Sequence, residues 1–429
     1  MITDHAMAPV GATFGDLAHR TSAPEELLAQ VDSMRLQAGK TLSLHQKAAL
    51  GQFFTPVSLA RLMASMLECL GQQVQLLDAG AGAGLLFAAT VAELCPRPRT
   101  PKRISVTAYE LDPELAILAR QTLSACEAVC EQAGITFLGE VIEGDFLECA
   151  VTLLRGNLFS SQPPRPAFTC AILNPPYHKI HSQSCHRKLL RQIGVETSNL
   201  YTGFLAAATL LLEPQGELVA ITPRSFCNGV YFRGFRRSLL KAMSLRRIHV
   251  FESREDAFHE DDVLQENVII SAANGVSRPT VTISSSAGPD DDMVLSHEVG
   301  YDRVVRSGDP QSFIHIVPDE LGHRVVERLT AFPCSLRDLG LTVSTGRVVD
   351  FRARDFLRRH PDTGTAPLIY PTHCASGYVA WPKPDSRKPN ALAIAARTRP
   401  QVVPNEHYVL VRRFSSKEEK KRVVAAVYD

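Results

Sequence analysis

Residues 76–87 have the sequence Leu-Leu-Asp-Ala-Gly-Ala-Gly-Ala-Gly-Leu-Leu-Phe. An apolar run ends at Asp78, a glycine-rich turn follows, and an alanine- and leucine-rich segment begins after the turn. A strand, a glycine turn and a helix in this order are typical of a doubly wound α/β sheet. Glycine lets the backbone approach a ligand closely, and a helix N-terminus favours negative charge. The stretch therefore predicts an α/β fold with a ligand-binding turn that includes Asp78, Ala79, Gly80 and Gly82.

The spacing of the glycines narrows the choice of ligand. A dinucleotide-binding turn follows the pattern G-x-G-x-x-G, and Leu85 occupies the place of its third glycine. The phosphate-binding pattern G-x-x-x-x-G-K-[ST] is also missing from the chain. These departures disfavour a pyrophosphate and leave the carboxylate of S-adenosyl-L-methionine as the better fit. Taken alone, the glycines are explained equally well by a plain tight turn.

Two further apolar segments also end in acidic residues. Glu110 ends the first, and Asp112 stands before Pro113 in the pattern of a helix N-cap. An acid at the end of the second strand of a doubly wound sheet is placed to accept both hydroxyls of a ribose, so Glu110 is the predicted ribose ligand. The second segment ends at Asp145 and Phe146. There the carboxylate could accept from an adenine amino group while the aromatic ring covers the adenine.

The tetrapeptide Asn174-Pro175-Pro176-Tyr177 follows the apolar residues 171–173. A planar amino nitrogen is a poor nucleophile because its lone pair is delocalised into the ring that carries it. The side-chain oxygen of Asn174 and the carbonyl of Pro175 could accept hydrogen bonds from its two N–H groups and so localise that lone pair. Tyr177 offers a ring face on which an extruded base can stack. The alternative is a strand that ends in a Pro-Pro turn beside a core tyrosine.

In this order, the glycine turn, the two strand-end acids and the Asn-Pro-Pro-Tyr tetrapeptide resemble a known family. They are similar to the S-adenosylmethionine-dependent N6-adenine DNA methyltransferases of the gamma arrangement, as found in type II restriction-modification systems. The resemblance covers about residues 45–275. It implies a Rossmann-like methyltransferase fold with a C-terminal DNA-recognition region, S-adenosyl-L-methionine as cofactor, and methylation of a flipped adenine in double-stranded DNA. A cognate restriction endonuclease is a candidate partner.

The resemblance implies two more site residues. Thr55, in the segment 51–56, corresponds to a residue that contacts the methionine end of the cofactor. Phe258, with the segment 263–270, corresponds to a second aromatic side chain against the flipped base, although a core position is the alternative for it. One departure is Asp78-Ala79-Gly80, where some family members have Glu-Pro-Ala. The segments 199–204 and 211–223 resemble the helix and strand that follow the catalytic loop.

Three alternatives remain at this point. Pro333-Cys334 and Glu266-Asn267-Val268 are similar to two motifs of the C5-cytosine methyltransferases, but their order is reversed, so Cys334 is interpreted as an ordinary small apolar residue. Asn-Pro-Pro-Tyr also occurs in enzymes that methylate a glutamine amide of release factors and in some RNA methyltransferases. The third alternative is a catalytically silent specificity subunit of a phage-defence complex. The intact catalytic tetrapeptide and strand-end acids argue against that subunit.

The composition fits a globular protein of more than one domain. The chain has 429 residues, of which 45% are hydrophobic and 21% charged, as in ordinary soluble domains. No window approaches the roughly 20 apolar residues of a membrane span, and the N-terminus lacks a signal-peptide pattern. The ten cysteines are scattered without a C-x-x-C pair, which favours reduced thiols over a disulfide framework or a metal site. We therefore expect a cytoplasmic protein without a membrane partner.

The net charge of +1 conceals strong segregation of charge. Basic residues without acids occupy 178–191, and residues 224–254 hold eight Arg and Lys against one acid. Residues 321–429 hold nineteen Arg and Lys against ten acids. These regions suit phosphate contacts on DNA, although a solvated face is the commoner explanation of any single basic run.

We expect four segments along the chain. Residues 1–44 are predicted to be helical, and residues 45–275, where strands and helices alternate, to form the cofactor-binding catalytic domain with a parallel sheet. Residues 276–318 are predicted to form an irregular bridge of short strands, and residues 319–429 the target-recognition region. Recognition domains of the resembled family are often longer, so that region could be incomplete.

Overall fold

A computed structural model describes residues 22–41, 55–69, 71–155, 168–251, 266–289, 291, 294–317, 320–413 and 423–429. The chain divides into two compact units, Met1–Glu327 and Arg328–Asp429. The helices are α1 (Ala23–Thr41), α2 (Val57–Ala64), α3 (Leu85–Leu94), α4 (Pro113–Gln132), α5 (Phe146–Arg155), α6 (Cys185–Gln192), α7 (Leu200–Leu211), α8 (Arg233–Ala242), α9 (Tyr301–Val304) and α10 (Glu320–Thr330). Within the described ranges, no helix is both long and apolar enough to cross a membrane.

The first unit is built on one nine-stranded sheet. Its strands are β1 (Gln73–Ala79), β2 (Arg103–Glu110), β3 (Thr136–Glu143), β4 (Phe168–Leu173), β5 (Leu212–Pro223), β6 (Met243–Phe251), β7 (Asn267–Asn274), β8 (Thr280–Ser286) and β9 (Leu295–Gly300). Their order across the sheet is β3-β2-β1-β4-β5-β7-β6-β8-β9. Strands β1 to β5 are parallel, with Leu76 opposite Val106 of β2 and Cys170 of β4. The carboxyl ends of these five strands therefore meet at one edge.

The expectation of a parallel sheet over residues 45–275 is wrong for one strand, β7. Strand β7 runs antiparallel between β5 and β6, and β9 runs antiparallel to β8. Residues 267–273 of β7 are all buried. A strand buried on both faces shows the same continuous apolar run in either direction, so the composition of β7 does not reveal its orientation.

Both faces of the sheet are covered, as the alternation of strands and helices predicts. Leu76, Ile172 and Val219 belong to a core cluster formed with α1 to α4. Their sequence neighbours Leu77 and Ala171 belong to the opposite cluster, formed with α5 to α8. Successive side chains of a strand point to opposite faces, which explains why each buried strand contributes to both cores.

The segment 276–318 is part of the first unit and does not form a separate bridge. Strand β8 pairs in parallel with β6, and β9 pairs with β8, so both extend the main sheet. Serine is a weak strand former, but here the hydroxyls of Ser284 and Ser286 lie 2.9 and 3.0 Å from the two ring nitrogens of the fully buried His249. These side-chain hydrogen bonds satisfy polar groups in the interior, and the sequence pattern alone does not reveal them.

The second unit contains two small sheets. One has the order β10 (Leu357–Arg358), β14 (Ala391–Ala393) and β11 (Thr365–Pro367). The other has the order β12 (Cys374–Ala375), β13 (Tyr378–Val379), β16 (Ala425–Tyr428) and β15 (Tyr408–Val411). The buried amide of Asn390 bonds the His373 ring at 2.9 Å, the Lys383 N–H at 2.8 Å and the Arg359 carbonyl at 2.9 Å. A polar cluster therefore fixes the centre of this unit.

Candidate active site

The predicted site residues of the first unit converge on the edge formed by the carboxyl ends of the parallel strands. Asp78 and Ala79 end β1, Glu110 ends β2, and Asn174 follows β4 directly. Asp145 follows β3 after a single glycine. Ligands of open α/β sheets bind at this edge. Phe258 lies outside the described residues.

The glycine turn between β1 and α3 has a conformation that requires glycine. Gly80, Gly82 and Gly84 have φ angles of 81°, 59° and 91°, a region that residues with a Cβ rarely adopt. At Gly84 a Cβ would also lie 2.3 Å from the Phe87 ring. The N–H groups of Gly80 and Ala81 both donate to the Tyr109 carbonyl at 2.9 Å, which ties the turn to the end of β2.

Asp78 is a fully buried acid. Its exposure is 0%, and among the described residues neither carboxylate oxygen has a donor in hydrogen-bonding geometry. Burial, with a smaller contribution from the charge of Glu110, raises the pKa of Asp78 to about 8. The Phe87 N–H opposes this rise but does not reach hydrogen-bonding geometry. An orphaned buried carboxyl is costly, so this position suits a ligand that brings donors or positive charge.

Glu110 is buried and closes the glycine turn from the other side. One carboxylate oxygen accepts from the Gly82 N–H at 2.7 Å, and the other accepts from the Asp112 N–H at 2.9 Å. Burial raises the pKa of Glu110, and these N–H groups oppose the rise. Each carboxylate oxygen has a second lone pair, so both can still accept from a ligand. Asp112 caps α4 by accepting from the Glu114 and Leu115 N–H groups, which confirms its predicted role.

Asp145 is paired with a histidine that the sequence did not single out. One of its oxygens accepts from the Leu147 N–H at 2.8 Å, at the start of α5, and the other lies 2.6 Å from Nε2 of His186 in α6. Burial raises the pKa of Asp145, but the hydrogen bond and charge of His186 and the backbone donors outweigh it, so the net pKa is lowered. The same hydrogen bond raises the pKa of His186.

The ring of Phe146 is packed in the core beneath this edge. Its exposure is 2%, and its centroid lies 5.3 Å from that of Tyr109 and 5.1 Å from that of Phe204. Phe146 thus lies next to Asp145, the predicted adenine ligand, but its ring is packed against other aromatic rings. Its predicted role as a cover for the adenine ring stays a prediction.

Asn174 is held in a defined orientation by two side chains. Its amide nitrogen donates to Oγ1 of Thr55 at 3.0 Å, and its amide oxygen accepts from the Tyr177 hydroxyl at 3.3 Å. Burial raises the pKa of Tyr177 well above its ordinary value, so its hydroxyl keeps its proton and remains a donor. Thr55 is 7% exposed and lies 119 residues from Asn174 in sequence, a distance that hid this contact from sequence reasoning.

Tyr177 is half-buried, and its ring contacts both core clusters. Its hydroxyl also lies 3.3 Å from the Ile221 carbonyl of β5, and its ring centroid lies 6.1 Å from that of Tyr201 in α7. The Pro175 residue between Asn174 and Tyr177 is buried. The Asn-Pro-Pro-Tyr tetrapeptide is therefore fixed to β5 and α7, and its conformation does not depend on the loop alone.

Several basic side chains after the Asn-Pro-Pro-Tyr loop are paired with carboxylates of the protein. Glu196, just beyond the acid-free run 178–191, bonds the guanidinium groups of Arg187 and Arg191. Arg246 is 8% exposed and pairs with the buried Glu217 at 3.2 Å. Fewer side chains of the basic runs 178–191 and 224–254 are therefore available for phosphate than the number of Arg and Lys residues indicates.

Two residues of the C5-cytosine alternative belong to different units. Cys334 is exposed in the second unit, and all ten cysteines are free thiols. Asn267 is 4% exposed at the start of β7, opposite Pro223 of β5, and neither polar atom of its side chain has a hydrogen-bond partner within the part of the chain that the structure describes. Asn267 thus adds an unsatisfied amide to the site edge.

Comparison with known proteins decides the family. Type II methyltransferase M.PstI of Providencia stuartii is 42% identical over 409 residues, which are 95% of this chain and 79% of that relative. The chain belongs to the type II methyltransferases. M.BsuBI of Bacillus subtilis, another type II methyltransferase, is 40% identical over 403 residues, which are 94% of this methyltransferase and 78% of that relative. Residues 156–258 match the Eco57I restriction-modification methylase family.

A solved structure confirms the fold of this methyltransferase. A modification subunit of a putative type I restriction enzyme from Vibrio vulnificus YJ016 matches with a TM-score of 0.50 at 13% identity, over 72% of this chain and 67% of that chain. At that identity the likeness concerns the fold alone. Together with the large central sheet of the first unit, it confirms the predicted α/β methyltransferase fold.

Proposed function

We propose that the protein transfers a methyl group from S-adenosyl-L-methionine to N6 of an adenine that has been flipped out of duplex DNA. The observation that carries the proposal is the arrangement around Asn174. Its amide is oriented by Thr55 and Tyr177, at the same sheet edge as the buried acids Asp78 and Glu110. This edge would hold a donor-rich cofactor and a planar amine side by side.

The residues of the glycine turn fit the cofactor. Asp78 offers two unsatisfied carboxylate oxygens, which suit a cationic ammonium. Glu110 would accept the ribose hydroxyls through its remaining lone pairs, and Asp145 is positioned for the adenine amino group once His186 gives way. When bound, S-adenosyl-L-methionine supplies a methyl group on a positively charged sulfur.

The chain's own groups would activate the target amine. The Asn174 oxygen and the Pro175 carbonyl would accept hydrogen bonds from the two N6–H groups. The nitrogen lone pair would then be directed at the methyl carbon. As the N–C bond forms, the S–C bond breaks, and the nitrogen then loses one proton to solvent. Thr55 keeps the amide oxygen, and not the amide nitrogen, facing the amine. Preorganised acceptors of this kind contribute most where water is excluded.

The second unit supplies the features expected of a DNA-recognition region. Its exposed guanidinium groups would contact phosphates, which position a protein on DNA without specifying sequence. The exposed arginines of this unit include Arg347, Arg352, Arg354, Arg358, Arg359, Arg387, Arg397 and Arg399. A restriction endonuclease that cleaves the same sequence stays a candidate partner.

The test is methyl transfer with defined acceptors. The purified protein is incubated with tritiated S-adenosyl-L-methionine and with DNA, RNA or a protein extract, and methylated DNA is digested and its nucleosides identified by mass spectrometry. We expect label in DNA alone, as N6-methyladenine, and long-read sequencing should place it within one motif. Label in RNA, in protein or on cytosine would contradict the proposal. Asn174→Ala protein provides the matched blank.

A further inference from the structure

A second loop lies beside the catalytic loop at the same sheet edge. Residues 224–232 follow β5, and β5 pairs in parallel with β4, which places Leu173 opposite Ala220. The ring of Tyr201 links the two loops, because its centroid lies 6.1 Å from that of Tyr177 and 5.9 Å from that of Phe232. Phe232 is therefore two ring contacts away from the catalytic tyrosine.

Buried contacts give this loop a fixed shape. Arg236 of α8 is 0% exposed and donates to the Phe226 carbonyl at 2.8 Å and to the Gly229 carbonyl at 2.7 Å. A Cβ at Gly229 would lie 2.7 Å from the Ser225 carbonyl oxygen, so the turn also depends on glycine there. The backbone at the tip of the loop is therefore held in one conformation before any ligand arrives.

The tip of the loop exposes apolar and aromatic surface. Val230 is 67% exposed and Tyr231 is 86% exposed. An exposed aromatic ring on a rigid support is characteristic of a binding surface, because little conformational entropy is lost when it is covered. The flanking Phe232, in contrast, is 8% exposed and anchors the tip in the core.

A stripe of positive charge begins next to this tip. Arg233, Arg237 and Lys241 are all exposed and follow one another at intervals of four residues in α8, so they lie along one face of the helix. Within the described part of the chain, no carboxylate forms an ion pair with any of the three. Aromatic surface beside unpaired cations matches the stacked bases and phosphates of nucleic acid.

We propose that Tyr231 is a wedge that enters the base stack where the target adenine leaves it, while Arg233, Arg237 and Lys241 bind the flanking phosphates. This inference rests on the proposed function, since it needs duplex DNA and a flipped base. Extrusion of the adenine leaves an unpaired thymine and a gap, and an aromatic ring can fill the gap because every base offers a stacking face. Tyr231 then stabilises the extruded state without touching the adenine itself.

The experiment compares Tyr231→Ala with wild type on two duplexes. One carries the target adenine opposite thymine, and the other carries it opposite an abasic site, where extrusion costs less. On the paired duplex we expect kcat/KM to fall by roughly 5- to 150-fold, the range that loss of base–aromatic stacking spans. On the abasic duplex we expect most of that loss to disappear. Tyr231→Phe keeps the ring and should behave like wild type on both.

Two controls separate folding from function. Leu138 is 51% exposed on β3, the outermost strand on one side of the sheet. Leu138→Ala therefore removes an exposed apolar side chain away from the site and should leave kcat/KM unchanged on both duplexes. Melting temperatures of all variants should match that of wild type, because Tyr231 is nearly fully exposed.

Three outcomes would overturn the inference, and they differ from one another. If Tyr231→Ala retains wild-type turnover on the paired duplex, Tyr231 is not a wedge. If it loses the same factor on both duplexes, it contributes a general DNA contact and not gap filling. If wild type itself methylates adenine in neither duplex, the proposed function fails, and the wedge, which rests on it, fails with it.

Discussion

The basic side chains of the two units are placed very differently, although both units are rich in arginine. In the first unit, Arg236 is fully buried among backbone carbonyls, and Arg246 pairs with Glu217. In the second unit, arginines such as Arg354 and Arg359 are exposed. The same residue type thus holds a loop in shape in one region and remains free for phosphate in the other.

The acidic and amide groups at the carboxyl ends of the parallel strands are held by internal partners, as Arg236 and Arg246 are. Asn174, Glu110 and Asp145 each have internal partners that fix their positions. Internal fixation of this kind is the condition for preorganised catalysis. The polar side chains at this edge of the first unit are held in place by internal partners, whereas the arginines Arg354 and Arg359 of the second unit carry exposed charge.

The strongest test of the fixed region is Asn174→Ala. Loss of one preorganised acceptor should lower the rate of methyl transfer by about 10²-fold or more, while S-adenosyl-L-methionine binding survives. Single-turnover rates and titration calorimetry on the same preparation would measure both quantities. A variant that methylates at nearly the wild-type rate would remove Asn174 from the catalytic machinery.

Thr55→Val sharpens that test. It removes the hydroxyl that accepts from the Asn174 amide nitrogen and leaves the amide in place. We expect a loss of about fivefold in kcat, corresponding to one hydrogen bond of about 1 kcal/mol, with Thr55→Ser close to wild type. If Thr55→Ser loses as much as Thr55→Val, the hydroxyl is not what orients Asn174.

Glu110→Ala tests the cofactor half of the same edge. The substitution should weaken S-adenosyl-L-methionine binding by roughly 1.5–3 kcal/mol, the range for hydrogen bonds to a charged group. It also releases the Gly82 N–H, so Glu110→Gln, which keeps one acceptor oxygen, is the matched control and should lose less. Unchanged affinity by calorimetry would point to another residue as the ribose ligand.

Two double variants of equal charge change test which arginines contact phosphate. Arg354→Gln with Arg359→Gln removes exposed guanidinium groups of the second unit. Arg187→Gln with Arg191→Gln removes groups that Glu196 already occupies. Each lost phosphate contact lowers the slope of log K against log salt by about 0.9, so the first pair should lower it by about 2. Equal effects of the two pairs would contradict the assignment of phosphate contacts to the second unit.

The smallest effect concerns the pair of Asp145 and His186. The pKa of His186 is raised above its ordinary 6.5, so its contribution to stability is full below pH 6.5 and is lost as pH rises through the raised value. The pKa of Asp145 is lowered below its ordinary 3.8, so its contribution is present above pH 3.8 and is lost as pH falls through the lowered value. The pair therefore stabilises most between these two ordinary values.

His186→Ala should lower the free energy of unfolding by at most about 1 kcal/mol in that window, because the pair is partly exposed. The difference from wild type should shrink at alkaline pH. Urea unfolding at a series of pH values measures it, and His181→Ala, which removes an exposed histidine of the same segment, is the control. A difference that is constant with pH would show that the two side chains do not form an ion pair.

Local patterns were sufficient to predict the parts of the site that lie close together in sequence. The glycine turn after Asp78, the helix cap at Asp112 and the position of Asn174 after a buried strand all depend on neighbouring residues. Backbone sterics and local hydrogen bonds determine such features. For that reason the succession of strand ends, and with it the fold class, was predictable from the chain.

Tertiary structure alone decided the partners of those residues. Asn174 meets Thr55 across 119 residues and Asp145 meets His186 across 41, and the direction of β7 is invisible in its uniformly buried sequence. Whether an arginine is buried like Arg236 or exposed like Arg354 depends on which carbonyls or carboxylates the packed chain brings near it. The sequence by itself determined which chemical groups stand at each strand end. The packing of distant segments determined which of those groups are held in place and which remain free to bind.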